Sequence, residues 1–105
     1  MKACNLNKMA KDVVEKYNLE HPVEIRFIDL ASEIGELGKE LLKISNYGKD
    51  ACQPSSDISG EIGDVLFSLA CIANSLDIDL EDALASAISK YHARFAIAGS
   101  ISSCE

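Results

Sequence analysis

Two pairs of carboxylates in this chain are spaced so that a helix would bring each pair to one face. Glu33 and Glu36 form the first pair, and Glu61 and Asp64 form the second. Residues three apart are neighbours on a helix surface. Four acidic groups gathered inside a small helical protein repel one another and lose hydration, and a divalent cation would relieve that conflict. Because Mg²⁺, Ca²⁺ and Mn²⁺ prefer carboxylate oxygens, the pattern indicates a metal site.

Ordinary helix chemistry offers an alternative for each pair. The carboxylates of the first pair, together with that of Glu40, fit a solvated helix face on which Lys39 and Lys43 are ion-pair partners. Those of the second pair could stabilise the start of a helix through its dipole. Two such pairs on adjacent apolar helices favour the metal site over both alternatives. A di-iron site is disfavoured because it needs a Glu-x-x-His motif, and neither pair has one.

Four helices are predicted to position these groups, over residues 5–17, 23–44, 58–76 and 80–96. No stretch shows the strict alternation of a half-buried strand. Asp79 is expected to cap the start of the fourth helix. Because the connections are short, neighbouring helices should run antiparallel. We therefore expect an all-α, four-helix bundle-like protomer, in which residues 1–105 form one domain and residues 99–105 form a flexible tail.

The third predicted helix is too apolar for a surface helix. From Val65 to Ala73 its only hydroxyl or charged side chain is that of Ser68. A helix that is apolar all round is buried in a core or in an interface between subunits. Since a chain of 105 residues can hardly enclose such a helix, we expect a homo-oligomer that is at least a dimer.

Composition argues against several kinds of partner. The formal net charge of −7 does not suit binding to a nucleic-acid backbone. No apolar run approaches the ~20 residues of a transmembrane helix, so no membrane partner is expected. The N-terminus lacks the apolar segment of a signal peptide, which favours a cytoplasmic location. None of the four cysteines lies in a C-x-x-C motif, so a zinc site is not expected.

Three further residues are candidate contacts to a ligand. Lys90 and Arg94 lie four apart on the fourth helix and could bind phosphate oxygens. The alternative is that they stabilise the dipole at the C-terminal end of that helix. Asn74 could form a hydrogen bond to a base or a sugar, or could simply lie near the end of the third helix.

These residues resemble the MazG-type nucleoside triphosphate pyrophosphohydrolases, part of the all-α NTP pyrophosphatase superfamily. The signature of that family is E-E-x-x-E, a spacer and then E-x-x-D. It is matched here by S-E-I-G-E at residues 32–36 and by E-I-G-D at residues 61–64. The likeness covers roughly residues 23–96. Ser32 replaces the first Glu of the signature, which could reduce the activity or alter the specificity.

The resemblance implies a function and a set of site residues. The implied reaction is Mg²⁺-dependent hydrolysis of a nucleoside triphosphate between its α and β phosphates, with Mn²⁺ as an alternative ion and nucleotide-pool cleansing as one role. The products are a monophosphate and pyrophosphate, and the implied assembly is a dimer or a dimer of dimers. The implied metal ligands are Glu33, Glu36, Glu61 and Asp64, of which Glu36 and Glu61 are also the candidate catalytic groups. Lys90 and Arg94 would contact phosphates. Two alternatives remain open: a phosphoribosyl-ATP pyrophosphohydrolase, or a non-catalytic helical module that binds a nucleotide or a protein partner.

Overall fold

The computed structural model describes residues 5–53 and 56–98 of the chain. These residues form four helices, α1 (Leu6–Lys16), α2 (Val23–Ile44), α3 (Ser56–Ser75) and α4 (Leu80–Ala98), and no strand. The predicted all-α fold class is therefore confirmed, and the predicted helix ends differ from the observed ones by at most two residues. The segment predicted to be a flexible tail, residues 99–105, lies outside the described residues. No helix of the described segments is long and apolar enough to cross a bilayer.

Helices α2 and α3 form the principal helix pair. Near the start of α2, the guanidinium carbon of Arg26 lies 5.8 Å from the centroid of the Phe67 ring on α3. Two turns further along α2, Glu33 lies beside Glu61 and Asp64 of α3. Higher residue numbers on α2 thus meet lower numbers on α3, so the two helices are antiparallel. This arrangement turns the acidic stripe of each helix toward that of the other.

Polar residues set the ends of the helices. Asn18, Asn46 and Asp77 follow α1, α2 and α3 in the left-handed conformation, with φ of 55°, 51° and 55°. After each of them, the next backbone N–H donates to the carbonyl five residues earlier, at 2.9, 2.7 and 2.8 Å. Asn and Asp adopt this conformation more readily than other non-glycine residues. Asp79 caps α4 as predicted, because its carboxylate accepts a hydrogen bond from the N–H of Asp82 at 2.9 Å.

Helix α1 packs against α3 and touches the start of α4. Small buried side chains, those of Ala10 on α1 and Ala70 on α3, let α1 and α3 approach closely. At the end of this contact the Asn7 amide donates to the Asn74 side chain at 2.9 Å and to the Ile78 carbonyl at 2.7 Å. The side-chain oxygen of Asn7, Oδ1, accepts from the N–H of Leu80 at 2.8 Å. Asn7 therefore ties the first turn of α4 to α1 and α3.

The protomer leaves large apolar side chains exposed on every helix. On α2 three of them are seven residues apart, which places them on one face: Phe27, Ile34 and Leu41. Others lie on α3 and α4: Ile62, Leu66, Leu69, Leu84, Ile88, Tyr91 and Phe95. The fully buried core consists mainly of small residues, Ala10, Ala70, Cys71 and Ala73. The apolar character of α3 is thus only partly used within one chain, and the expected homo-oligomer stays a prediction.

Candidate metal centre

Three of the four predicted metal ligands come together where α2 faces α3. One carboxylate oxygen from each of Glu33, Glu61 and Asp64 lies within 4.8 Å of the other two. Glu33 and Glu61 are half-buried, whereas Asp64 is exposed. Ligands on opposite sides of Mg²⁺ are about 4 Å apart, since each lies at about 2.0–2.1 Å from the ion. Small side-chain rotations would therefore close this set on a hard divalent cation, and the residues fit that ion.

The fourth predicted ligand, Glu36, lies beside this cluster rather than within it. Its side chain is exposed, and its Oε1 lies 4.0 Å from the ammonium of Lys39. An i,i+3 ion pair of this kind between exposed groups contributes little to stability. Glu36 thus fits the alternative interpretation, in which the α2 carboxylates form a solvated face with lysine partners. Glu33 does not fit it.

The electrostatic environment of Glu61 is negative. Partial burial of Glu61 raises the pKa of its carboxyl group. The pKa is raised further by four neighbouring carboxylates, those of Asp64, Glu36, Glu33 and Glu40. The lysines nearest to this stripe pair with its outer members, Glu36 and Glu40. Among the residues that the structure describes, no ion pair reaches the three clustered carboxylates. The centre therefore holds negative charge that a cation would neutralise.

Glu40 adds its charge to the centre, whereas the sequence placed it only on the solvated face of the alternative interpretation. Its side chain is only 15% exposed and its Oε1 lies 3.5 Å from the Lys43 ammonium. It is among the groups that raise the pKa of Glu61. Its spacing of four residues from Glu36 is the signal that could have identified it, because that spacing keeps both on one helix face.

Asn74 lies away from the carboxylates. It follows Asp64 by ten residues on α3, which corresponds to about 15 Å along a helix axis. Its Oδ1 accepts from Asn7, and its Nδ2 donates to the Asn7 carbonyl at 3.0 Å. It also lines a groove of about 770 Å³ whose walls carry both positive and negative side chains. The observed hydrogen bonds of Asn74 thus join two helices, and its predicted contact with a substrate remains untested.

Lys90 and Arg94 lie on α4, which makes few contacts with the other helices, chiefly with α1. Both side chains are exposed, and the Arg94 guanidinium carbon lies 5.8 Å from the centroid of the Tyr91 ring. In the described part of the chain neither residue forms an ion pair with the clustered carboxylates. A single chain therefore does not show these two cations paired with the candidate metal ligands.

Comparison with known proteins identifies the family of this chain. The family model of the MazG nucleotide pyrophosphohydrolase domain matches residues 27–96, which include all four predicted metal ligands. The chain is 44% identical over 68 residues to YpjD, an uncharacterised protein of Bacillus subtilis (strain 168). That match covers 62% of this chain and 60% of YpjD, so the chain spans less than two thirds of this relative.

Two solved structures share the fold. One is the crystal structure of a Bacillus-conserved MazG protein described as a nucleotide pyrophosphohydrolase, with a TM-score of 0.66 and 33% identity over 87% of this chain and 93% of that one. The other is YpjD of Bacillus subtilis, described as a candidate pyrophosphatase, with a TM-score of 0.66 and 32% identity over 87% of this chain and 98% of that one. The resemblance seen in the acidic motifs is thus confirmed over most of the chain, which belongs to the MazG nucleotide pyrophosphohydrolase domain family.

Proposed function

We propose that this protein hydrolyses a nucleoside triphosphate between the α and β phosphates, with Mg²⁺ as its cofactor and Mn²⁺ as an alternative ion. The observation that carries the proposal is the cluster of Glu33, Glu61 and Asp64, which two different helices bring within 4.8 Å. Membership of the MazG family gives the reaction class. A structural neighbour described as a nucleotide pyrophosphohydrolase supports the same class.

The clustered carboxylates would hold the cation, and Glu36 would either join them or act as a base. A bound Mg²⁺ supplies positive charge next to phosphate oxygens that become more negative during the reaction. In the proposed reaction, a water oxygen bonds to the α-phosphorus and the bond from that phosphorus to the bridging oxygen breaks. Pyrophosphate leaves, and Glu36 accepts the proton of the attacking water. We choose Glu36 because it lies beside the cluster without being part of it.

The phosphate-binding role of Lys90 and Arg94 belongs to the proposal as well. Because α4 packs mainly on α1, we propose that a second copy of the chain brings these two cations to the carboxylates. Lys would then act as a point charge and Arg as a bidentate donor to phosphate oxygens. Asn74 is retained as a candidate contact to the base or sugar.

The proposal is tested by measuring pyrophosphate release from a panel of ribo-, deoxyribo- and modified nucleoside triphosphates, with Mg²⁺ and with chelator. We expect Mg²⁺-dependent formation of a monophosphate and pyrophosphate. Glu61→Gln should lower the rate by at least about a hundredfold, the scale of losing one preorganised electrostatic group. Glu24→Gln is the matched control, since it removes a carboxylate from the exposed first turn of α2 and should retain full activity.

Other outcomes identify the alternatives. Release from phosphoribosyl-ATP, but from no free nucleoside triphosphate, would identify a phosphoribosyl-ATP pyrophosphohydrolase. Mg²⁺-dependent binding of a triphosphate without release would identify a binding module. In that case Ser32→Glu, which restores the first Glu of the family signature, should create turnover if the substitution of that Glu caused the loss. Full activity of Glu61→Gln would contradict the assignment of the site.

The remaining expectations about the setting of the protein stay predictions. These are the cytoplasmic location, the absence of a nucleic-acid or membrane partner and the role in nucleotide-pool cleansing. The charge of −7 supports the absence of a nucleic-acid partner, because phosphate backbones bind basic surfaces.

A further inference from the structure

The hydroxyl of Ser68 differs in its hydrogen bonding from those of Ser45 and Ser75. Ser45 and Ser75 each donate their hydroxyl to the carbonyl four residues earlier, at 2.8 and 3.1 Å. This back-bonding is the usual way in which a helical serine satisfies its hydroxyl. Ser68 is only 5% exposed, and in the part of the chain that the structure describes its hydroxyl forms no hydrogen bond. A buried residue whose hydroxyl has no partner in the protein calls for an explanation, because an unmade hydrogen bond is costly unless water or a ligand replaces it.

The hydroxyl of Ser68 is not sealed inside packed carbon. Among the described residues, no fully enclosed side-chain nitrogen or oxygen atom lacks a hydrogen bond. Because the Ser68 oxygen has no partner, it must retain some access to a gap. A group of atoms that arrives with a ligand could therefore reach it.

The position of Ser68 on α3 places it near the candidate metal centre. Ser68 follows Asp64 by four residues and Glu61 by seven, so the three side chains lie on one face of the helix. One turn further along, Cys71 is close enough to Arg26 and Asp29 of α2 for both charges to affect the pKa of its thiol. Ser68 thus lies on the seam between α2 and α3, next to the carboxylate cluster and at the same level as the start of α2.

Water can reach the Ser68 oxygen in the metal-free protein, and the chemistry of the neighbours favours a partner that comes with the cation. The clustered carboxylates only accept hydrogen bonds, and none of them accepts one from Ser68. A serine hydroxyl can both donate and accept. Mg²⁺ in proteins usually keeps several waters and binds substrate phosphates directly. A metal-bound water could donate to Ser68, and a phosphate oxygen could accept from it.

We infer that Ser68 is a positioning residue whose hydroxyl pairs with an oxygen held by the bound cation, either a water or a phosphate oxygen of the substrate. The inference rests on the proposed function, because it requires a cation at Glu33, Glu61 and Asp64. Groups that orient what a metal holds commonly change its affinity by about 10–100-fold when they are removed. Ser68 would act on the position of these oxygens without being a metal ligand itself.

The test is Ser68→Ala, for which two affinities are measured. The first is the affinity for Mn²⁺ alone, measured by electron paramagnetic resonance. The second is the affinity, at saturating Mg²⁺, for a nucleoside triphosphate that has a methylene bridge between its α and β phosphorus. If a metal-bound water is the partner, Mn²⁺ affinity should fall about tenfold. If a phosphate oxygen is the partner, Mn²⁺ affinity should be kept and the affinity for the triphosphate should fall about tenfold. Unchanged affinity for both probes would overturn the inference.

Stability separates this role from a merely structural one. In metal-free protein, Ser68→Ala should keep or raise the melting temperature, because Ala favours a helix and removes an unpaired buried hydroxyl. Ser45→Ala is the matched control: it deletes a buried hydroxyl that does have partners, so it should lower the melting temperature and keep both affinities.

Two further variants keep the test decisive. Ser68→Thr retains a hydroxyl and should bind both probes as the wild type does. If Ser68→Ala does not fold, Ser68→Cys replaces it, since a thiol is a weak hydrogen-bonding group of similar shape. A wild-type protein that binds neither Mn²⁺ nor the triphosphate would overturn the proposed function itself. If the wild type binds both probes and Ser68→Ala binds them with the same affinities, only the role of Ser68 is overturned.

Discussion

At the scale of single residues, the carboxylate of Glu61 shows the conflict within the metal-free centre most directly. Its burial and four neighbouring carboxylates all raise its pKa. Protonation removes this conflict at low pH, and a bound cation would remove it at neutral pH. The arrangement thus costs stability in the metal-free state, and binding of the proposed ion would recover it.

The pH dependence of stability should report this conflict. Because the pKa of Glu61 is raised in the folded state, the stability that protonated Glu61 contributes is fully present below the ordinary glutamate value of 4.5. It is lost as the pH rises through the raised pKa. Glu61→Gln cannot ionise, so in chelator its melting temperature should equal that of the wild type near pH 4 and exceed it at pH 7.

The control for this experiment is Glu24→Gln, whose difference from the wild type should not follow the same pH dependence. In saturating Mg²⁺ at pH 7 the order should reverse, because only the wild type would gain stability from the full ligand set. A difference between Glu61→Gln and the wild type that is the same at pH 4 and pH 7 would contradict the account of Glu61.

At the scale of helices, Asn7 determines how α4 leaves the rest of the fold. Its side chain forms hydrogen bonds to Asn74, to the Ile78 carbonyl and to the Leu80 N–H. These partners belong to the end of α3, the α3–α4 turn and the first residue of α4. One amide thus satisfies backbone groups of the turn that would otherwise need water, and it sets the direction in which Lys90 and Arg94 are presented.

Removing this amide should destabilise the fold measurably. Asn7→Ala leaves the Leu80 N–H, the Ile78 carbonyl and the Oδ1 of Asn74 without their partner. We expect the free energy of unfolding to fall by about 1–3 kcal/mol, measured by urea denaturation at an unchanged m-value. Asn5→Ala is the control for losing an α1 side chain, because its cap bond to Lys8 N–H is local and should cost about 1 kcal/mol. Asn7→Ala as stable as the wild type would show that water replaces these bonds.

At the scale of the whole molecule, the surface of one chain is unusually apolar for a monomer. The exposed Phe27, Ile34 and Leu41 form a continuous row along α2, and α3 and α4 carry comparable exposed side chains. Exposed apolar surface of this extent typically marks an interface. Association would bury it, and it would also allow α4 of one copy to approach the carboxylates of another.

The oligomeric state should therefore depend on this row. We expect the wild type to be at least a dimer by size-exclusion chromatography with light scattering. Phe27→Lys, at a position that is 62% exposed in one chain, should raise the dissociation constant at least about tenfold, because it places a charge where an aromatic side chain would be buried. Tyr47→Lys, at an exposed loop position, should leave the assembly intact. A wild type that is monomeric at ten micromolar, a concentration on the order of those at which stable dimers persist, would contradict the expectation.

The four helices and the acidic motifs were predictable because they depend on local spacing. Apolar residues at helical intervals indicated the four helices, and the carboxyl group of Asp79 indicated the start of α4 before any packing was known. The two acidic pairs were visible for the same reason, since residues three apart share a helix face whatever the helix packs against.

Tertiary structure alone decided which of these groups meet. The antiparallel packing of α2 on α3 brings Glu33 to Glu61 and Asp64 and leaves Glu36 beside them, a distinction that spacing along one helix does not contain. Packing also decided that Asn74 bonds to Asn7, and that Ser68 is buried. The physical reason is that periodicity defines the face of each helix, whereas the distance between two faces depends on how side chains from separate parts of the chain fit together.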